Sequence, residues 1–201
     1  MRPSPPVLSL SLIAACVVSG ALAFGDATEQ RSIDPAKSKA QFSIKHIFVE
    51  RVVGTLPIMS GSVILTSDSA IPVSATATLD ARRVSTGDSD RDASLESSNY
   101  FDVNDFPTWK FTSTRIVPSG PGAFEMDGTL TIHGVSQLEH LAVAIGGDAA
   151  HPVYHATGQI DRHAFGMKGT RLDPVIGDAA DVSLDIVLGP PDAARLSRST
   201  R

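Results

Sequence analysis

From residue 39 to residue 188 the chain alternates, apolar against polar, in short runs parted by clusters of Gly, Pro, Ser and Asp. That period of two, with helical periodicity nearly absent, predicts an antiparallel all-β domain. The first run, residues 39–49, sets Ala40, Phe42, Ile44 and His46 on one face and Gln41, Ser43 and Lys45 on the other. Runs at 51–56 and 58–66 follow, with Gly54 and Gly61 as bends or bulges. A strand over 72–79 carries small side chains at Ala75 and Ala77 beside Leu79, which suits a crowded interior. Residues 109–117, 124–133, 138–145, 153–160 and 182–188 complete the set. The clearest is 124–133, where Phe124, Met126, Gly128, Leu130 and Ile132 share one side. Gly-rich turns at 119–122, 134 and 146–148 join the later strands.

Two stretches break the alternation. In residues 91–111 a short helix is expected, with Asp90 as its N-cap and Leu95 on its apolar side, released at Ser97, Ser98 and Asn99. Tyr100, Phe101 and Phe106 then come close together, and Pro107 stops any helix. Trp109 and Phe111 open the next strand on one face. A loop that gathers aromatics in this way is expected to cover or plug a hydrophobic space. The second irregular stretch, 162–178, holds Phe165 and Met167. About eight strands with apolar faces and long loops at one end favour a closed barrel over a sandwich. Its interior is either filled by side chains or holds one small ligand.

Composition is that of one ordinary domain: 201 residues, 42% apolar and 19% charged. The N-terminus changes the picture. Arg2, an apolar run over 7–18 and Ala21-Leu22-Ala23 before Phe24 form a secretory leader, so residues 1–23 are expected to be cleaved. Ile13-Ala14-Ala15-Cys16 offers a competing lipoprotein signal, against which the residues after Cys16 stay apolar. Cys16 is the sole cysteine, so cleavage leaves neither disulfide nor thiol nucleophile. Without Arg2 the 17 basic residues fall to 16 against 22 acidic, a net charge of −6. That argues against nucleic acid and against electrostatic docking on anionic lipid. Residues 24–30 read as a linker, 31–189 as the barrel and 190–201 as a disordered tail.

Reactive chemistry is harder to assemble. His151 and His155 lie four apart but in or beside a strand, too far apart to chelate one ion, and no cysteine accompanies them, so no metal site is expected. There is no G-x-S-x-G elbow, no H-E-x-x-H and no phosphate-cradling glycine loop. No residue is assigned to catalysis.

An ordered series of short motifs adds to this reading: Phe42-x-Ile44-Lys45-His46, Val53-Gly54, Gly61, Thr86-Gly87 before Arg91-Asp92-x-x-Leu95, Tyr100-Phe101-Asp102-Val103, Phe106-Pro107-x-x-x-Phe111-x-Ser113, Gly128-x-Leu130-Thr131-Ile132-His133-Gly134-Val135 and Arg162-x-x-Phe165-Gly166-Met167. The series resembles the YceI-like polyisoprenoid-binding family of bacterial periplasmic proteins across residues 31–189. It departs from the family pattern at Leu56, Asn99 and Gln137-Leu138. The resemblance implies an eight-stranded, extended lipocalin-like antiparallel barrel in the periplasm, closed by the short helix and aromatic loop. Its cavity is expected to hold an isoprenoid chain, a quinone tail or a polyprenyl phosphate, with no cofactor. Transient contact with a membrane or membrane protein, and homodimerisation, stay open.

An isoprenoid tail has no hydrogen-bonding groups along it, so only apolar burial holds it. Ile44, Val63, Leu65, Leu79, Leu130, Ile132 and Val143 are the expected walls, with Phe42, Leu95 and Phe111. Tyr100, Phe101, Phe106, Trp109, Phe165 and Met167 are the expected mouth. His46 is read either as a buried histidine bonded to the loop or as a head-group contact. Arg91 and Asp92 are expected to pair or cap and so pin the loop, with Arg162 and Asp102 playing that part across the second loop. Two other functions remain: a secreted, stress-related module with a plugged barrel and a protein partner, and an enzyme acting on an isoprenoid head group. A continuous tunnel separates the first of these from a carrier.

Overall fold

A computed structural model describes residues 28–46, 51–148, 151–167, 169 and 176–192. The expected leader, including Cys16, and residues 193–201 of the expected tail lie outside them. Ten strand segments are present: β1 (Thr28–Ile33), β2 (Lys39–His46), β3 (Arg51–Thr55), β4 (Ile58–Thr66), β5 (Pro72–Asp80), β6 (Thr108–Gly120), β7 (Ala123–Ile132), β8 (Val135–Gly147), β9 (Pro152–Asp161) and β10 (Ile176–Pro191). Among the described residues one helix, α1 (Ser89–Glu96), and two 3₁₀ turns interrupt them. β1 starts inside the stretch expected as linker, and β10 runs two residues into the expected tail.

The ten segments make eight staves. β2 pairs with β3 and β1 with β4, so the first two staves are one long antiparallel hairpin, bent twice. One bend lies between β1 and β2, where Ser38 N–H donates to Asp34 O at 3.0 Å. The other is at Leu56-Pro57, where Pro57 has no N–H to give the ladder. From β4 the order runs β5, β6, β7, β8, β9, β10 by antiparallel neighbours. β10 then divides its free edge. Residues 176–185 pair with β2, while Leu188 and Pro191 pair with Ile33 and Arg31 of β1. The ring is therefore a closed eight-stranded antiparallel barrel.

Alternation sends one face of each strand inside. β7 shows it most plainly, with Phe124, Met126, Leu130 and Ile132 all under a tenth exposed. The buried residues form two clusters. At one end Phe124 meets Tyr154 edge-to-face at 6.0 Å, packed with Ile33, Val63, Leu65, Val143 and Leu188. Tyr154 OH donates to Ala70 O at 2.8 Å, and burial pushes its phenol up to about 12. At the other end Leu56, Tyr100, Phe101, Trp109, Ile132 and Phe165 pack beneath the irregular segments. The first end is filled and the second is not.

Candidate functional site

The open end is built by α1, the aromatic loop after it, and the adjoining ends of β2, β3, β6, β7, β9 and β10. Asp88, not Asp90, caps α1, its carboxylate accepting from the N–H groups of Asp90 and Arg91 at 3.1 Å each. Both aspartates stand in a Ser-Asp-rich run, so the local signal does not tell them apart. α1 buries no residue fully, but half-buried Leu95 faces the barrel. The loop folds back under the helix: Phe101 N–H donates to Leu95 O at 3.0 Å and Val103 N–H to Glu96 O at 3.1 Å. That return drives Phe101 inward, where it stands edge-to-face on Trp109 at 4.7 Å and on Phe42 at 6.4 Å.

Arg91 and Asp92 do pin the loop, though not as the expected pair. Arg91 Nε donates to Thr86 Oγ1 at 2.8 Å, and Thr86 N–H donates to Asp92 Oδ1 at 2.8 Å. Thr86 is the shared anchor, because successive helical residues project to different sides and cannot meet each other. Arg162, 5% exposed, donates from Nε to Gly177 O at 3.0 Å and lies 3.6 Å from Asp178. Asp102 faces His133.

Beneath this cover lies a chamber of about 560 Å³. Phe42, Ile44, Leu95, Tyr100, Phe101, Trp109, Ile132 and Met167 of the expected set line it, as do His46, Arg91 and Arg162. A smaller cavity of about 100 Å³ continues below, with Leu79, Phe111 and Leu130 in its wall. Phe42, Trp109, Ile160 and Val182 border both. The smaller cavity also touches Ala40, Ile58, Leu141, Leu184 and Ile186, so it reaches from below the larger chamber into the first cluster.

Not every expected residue lies there. Val63, Leu65 and Val143 sit in the packed cluster at the filled end. Phe165 is fully buried and packs beside the chamber without lining it. Phe106 turns away, edge-to-face on His133 at 5.2 Å. Lys45, expected on the outer face, borders the chamber at the end of β2, where a long aliphatic stem can lie along apolar surface. Ile160, Ile176, Ala180 and Val182 are further wall residues. Strand alternation already put Ile160 and Val182 within reach of such an assignment.

A wider groove of about 960 Å³ crosses the outer face of β8, β9, β10 and β2, lined by Gln41, Glu139, Gln159 and Asp181 among others. A groove that lies open along the outer face cannot keep an apolar guest from water as well as the more sheltered, more apolar chamber inside the barrel, which is the candidate site.

Comparison with known proteins agrees with this geometry. The family model described as YceI-like domain matches residues 32–188. A UPF0312 protein of Pseudomonas putida (strain W619) is 27% identical over 136 residues, covering 64% of this chain and 70% of its own. Among solved structures, BcnA of Burkholderia cenocepacia superposes with a TM-score of 0.70 at 24% identity, over 77% of this chain and 98% of that one. A polyisoprenoid binding domain from Saccharophagus degradans, implicated in plant cell wall breakdown, gives 0.62 at 14% identity, over 80% and 98%. These two likenesses are of fold.

Proposed function

The chain belongs to the YceI-like family, and from that premise we propose that it is a non-catalytic carrier that shelters an isoprenoid lipid, acting in the periplasm. The observation that carries the reading is the partly open apolar chamber of about 560 Å³ walled by Ile44, Leu95, Phe101, Trp109, Ile132 and Met167. Such walls suit a hydrocarbon, with Lys45, His46, Arg91, Ser94 and Arg162 as the polar groups among the lining residues. Each buried methylene contributes about 0.8 kcal/mol, less the cost of ordering the chain. The arginines that border the chamber are engaged in holding its loops, Arg91 on Thr86 and Arg162 on Gly177. The secretory leader read at residues 1–23 supports the compartment. The S. degradans domain, similar in fold, supports the ligand class.

The test is organic extraction of protein purified from its native source, followed by mass spectrometry. A polyprenyl species at near one per chain is expected. An empty extract that stays empty after incubation with quinone-containing vesicles would remove the carrier reading and leave a barrel whose function lies on its outer surface.

A further inference from the structure

β8 and β9 are partners over only part of their length. Their ladder runs from Gly147–Pro152 to Leu141–Gly158 and ends there. Beyond it, residues 135–140 of β8 pair with β7 alone, and residues 159–161 of β9 with β10 alone. Gly158 is where the two strands last meet, and a side chain there would come within 2.7 Å of His140 O. At the far end of the gap Gln137 Nε2 donates to Ala164 O at 2.8 Å, so the turn after β9 closes it. A window is left between residues 138–140 and 159–161.

Glu139 stands in this window. It shares the inward parity of Leu141 and Val143, lies opposite Gly128 of β7, and borders both the smaller cavity and the groove on the outer face. It is half-buried, and among the described residues no donor answers its carboxyl. Burial holds that carboxyl above the ordinary carboxylate value, and the charge of Asp161 across the window adds to the effect. Of the described residues that line the smaller cavity, only Glu139 and His140 are ionisable. His140 points outward, to Asp127 and Glu125. In the turn after β9, Arg162 donates to Gly177 O and His163 lies against Asp178.

We propose that Glu139 ties occupancy of the smaller cavity to a proton: a hydrocarbon end that enters shuts the carboxyl in the window off from solvent, and the carboxyl takes up a proton as it does so. An ionised carboxylate set against hydrocarbon with no donor is costly, and neutralisation removes most of that cost. The inference rests on the carrier reading and supplies its regulation. A long tail is held tightly in acid and less tightly as pH rises. Affinity is full where the empty protein already keeps Glu139 protonated. It falls above that point, because an ionised Glu139 must first be neutralised.

Two prenols tell this site from the larger chamber: geraniol, with two isoprene units, and a six-unit prenol long enough to reach past it. Trp109, which borders both cavities, reports binding to the full-length protein by its fluorescence. The six-unit prenol is expected to bind roughly tenfold more weakly at about pH 8 than at about pH 4, and geraniol equally at both. Calorimetry in buffers of different ionisation enthalpy is expected to show uptake of up to about one proton per long prenol at about pH 6. Glu139→Gln should bind the long prenol at every pH as the wild type does in acid, with no proton uptake. A pH dependence that survives Glu139→Gln or appears equally with geraniol would overturn the proposal and leave the carrier reading standing. So would a wild type that takes up no proton, or a long prenol that fails to bind where geraniol binds. Binding of neither prenol would instead remove the carrier reading itself. The wild-type proton count decides even if Glu139→Gln does not fold.

Discussion

Asp102 and His133, the two non-glycine residues with left-handed backbone among the described residues (φ 46° and 51°), face each other across the mouth, Oδ2 lying 3.6 Å from Nε2. One sits in the aromatic loop and the other in the β7–β8 turn, so the contact seats the loop on the barrel. Phe106 packs on the same turn, where a side chain at Gly134 would come within 2.5 Å of its ring. Left-handed backbone costs an ordinary residue about 1–2 kcal/mol, and Asp, Asn and His bear it best.

Asp102→Asn therefore keeps the backbone and is expected to cost under about 1 kcal/mol, whereas β-branched Asp102→Val is expected to cost about 2 kcal/mol. Urea unfolding measures both. Equal losses would mean that the side-chain contact, not the backbone, selects aspartate.

Gly54 lies opposite Phe42 across the β2–β3 ladder, and a Cβ there would stand 2.2 Å from the Phe42 ring. Gly54→Ala must push the ring aside, into space that both chambers share. The expected cost is about 1–3 kcal/mol of stability, with affinity for a prenyl probe down about two- to tenfold if half of that strain falls on the bound form. The double change Gly54→Ala/Phe42→Leu should restore binding, read by Trp109 fluorescence. No rescue would separate Gly54 from the shape of the chamber.

The volume of the larger chamber sets a tail length. At protein packing density about 560 Å³ accommodates roughly five isoprene units. In a prenol series of increasing length, affinity is expected to climb with each unit and then level off near that number. A climb that continues unbroken would place the tail elsewhere, along a longer path through the barrel.

His140 sits on the outer face between Asp127 and Glu125, 2.7 Å from each. The hydrogen bond to Asp127 raises the imidazole above its ordinary 6.5, and the same bond holds the Asp127 carboxyl below 3.8. The pair stabilises the fold where both groups are charged. The histidine part is complete below 6.5 and is lost as pH rises through the raised value. The aspartate part is present above 3.8 and is lost as pH falls through the depressed one. His140→Gln is expected to lower Tm most between about pH 4 and 6.5 and to leave it unchanged well above that window. A loss of Tm independent of pH would assign the residue to packing alone.

How much of this was legible depended on what each residue signals. Alternation announced β7 through Phe124, Met126, Leu130 and Ile132, because side chains on one face of a strand share one environment. It missed β1, whose inward positions are Arg31 and Ile33. Arg31 is 6% exposed and donates to Gly189 O, so a charged residue occupies the place where an apolar one would have marked the strand. Alternation also tells inside from outside but not height along the barrel. Val63, Leu65 and Val143 point inward as surely as Ile44 and Ile132, yet they fill the closed end. Phe106 misled for a different reason: the left-handed turn at Asp102 reverses the loop, and nothing in the aromatic spacing encodes that reversal. The sharing of Thr86 by Arg91 and Asp92 likewise depends on tertiary placement.

The barrel is closed by its first strand against its last, Ile33 beside Leu188, with Asp34 N–H donating to Val187 O at 2.8 Å. A nascent chain that has released β9 still lacks the strand that brings Ile176, Ala180 and Val182 to the chamber. It has neither a sealed wall nor a lined interior. Pairing between such distant segments is slow to form, and until it does the apolar faces of β7 and β9 stand open to solvent. The chamber thus comes into being with the last pairing, and the seam between β1 and β10 is as much a part of it as the residues that line it.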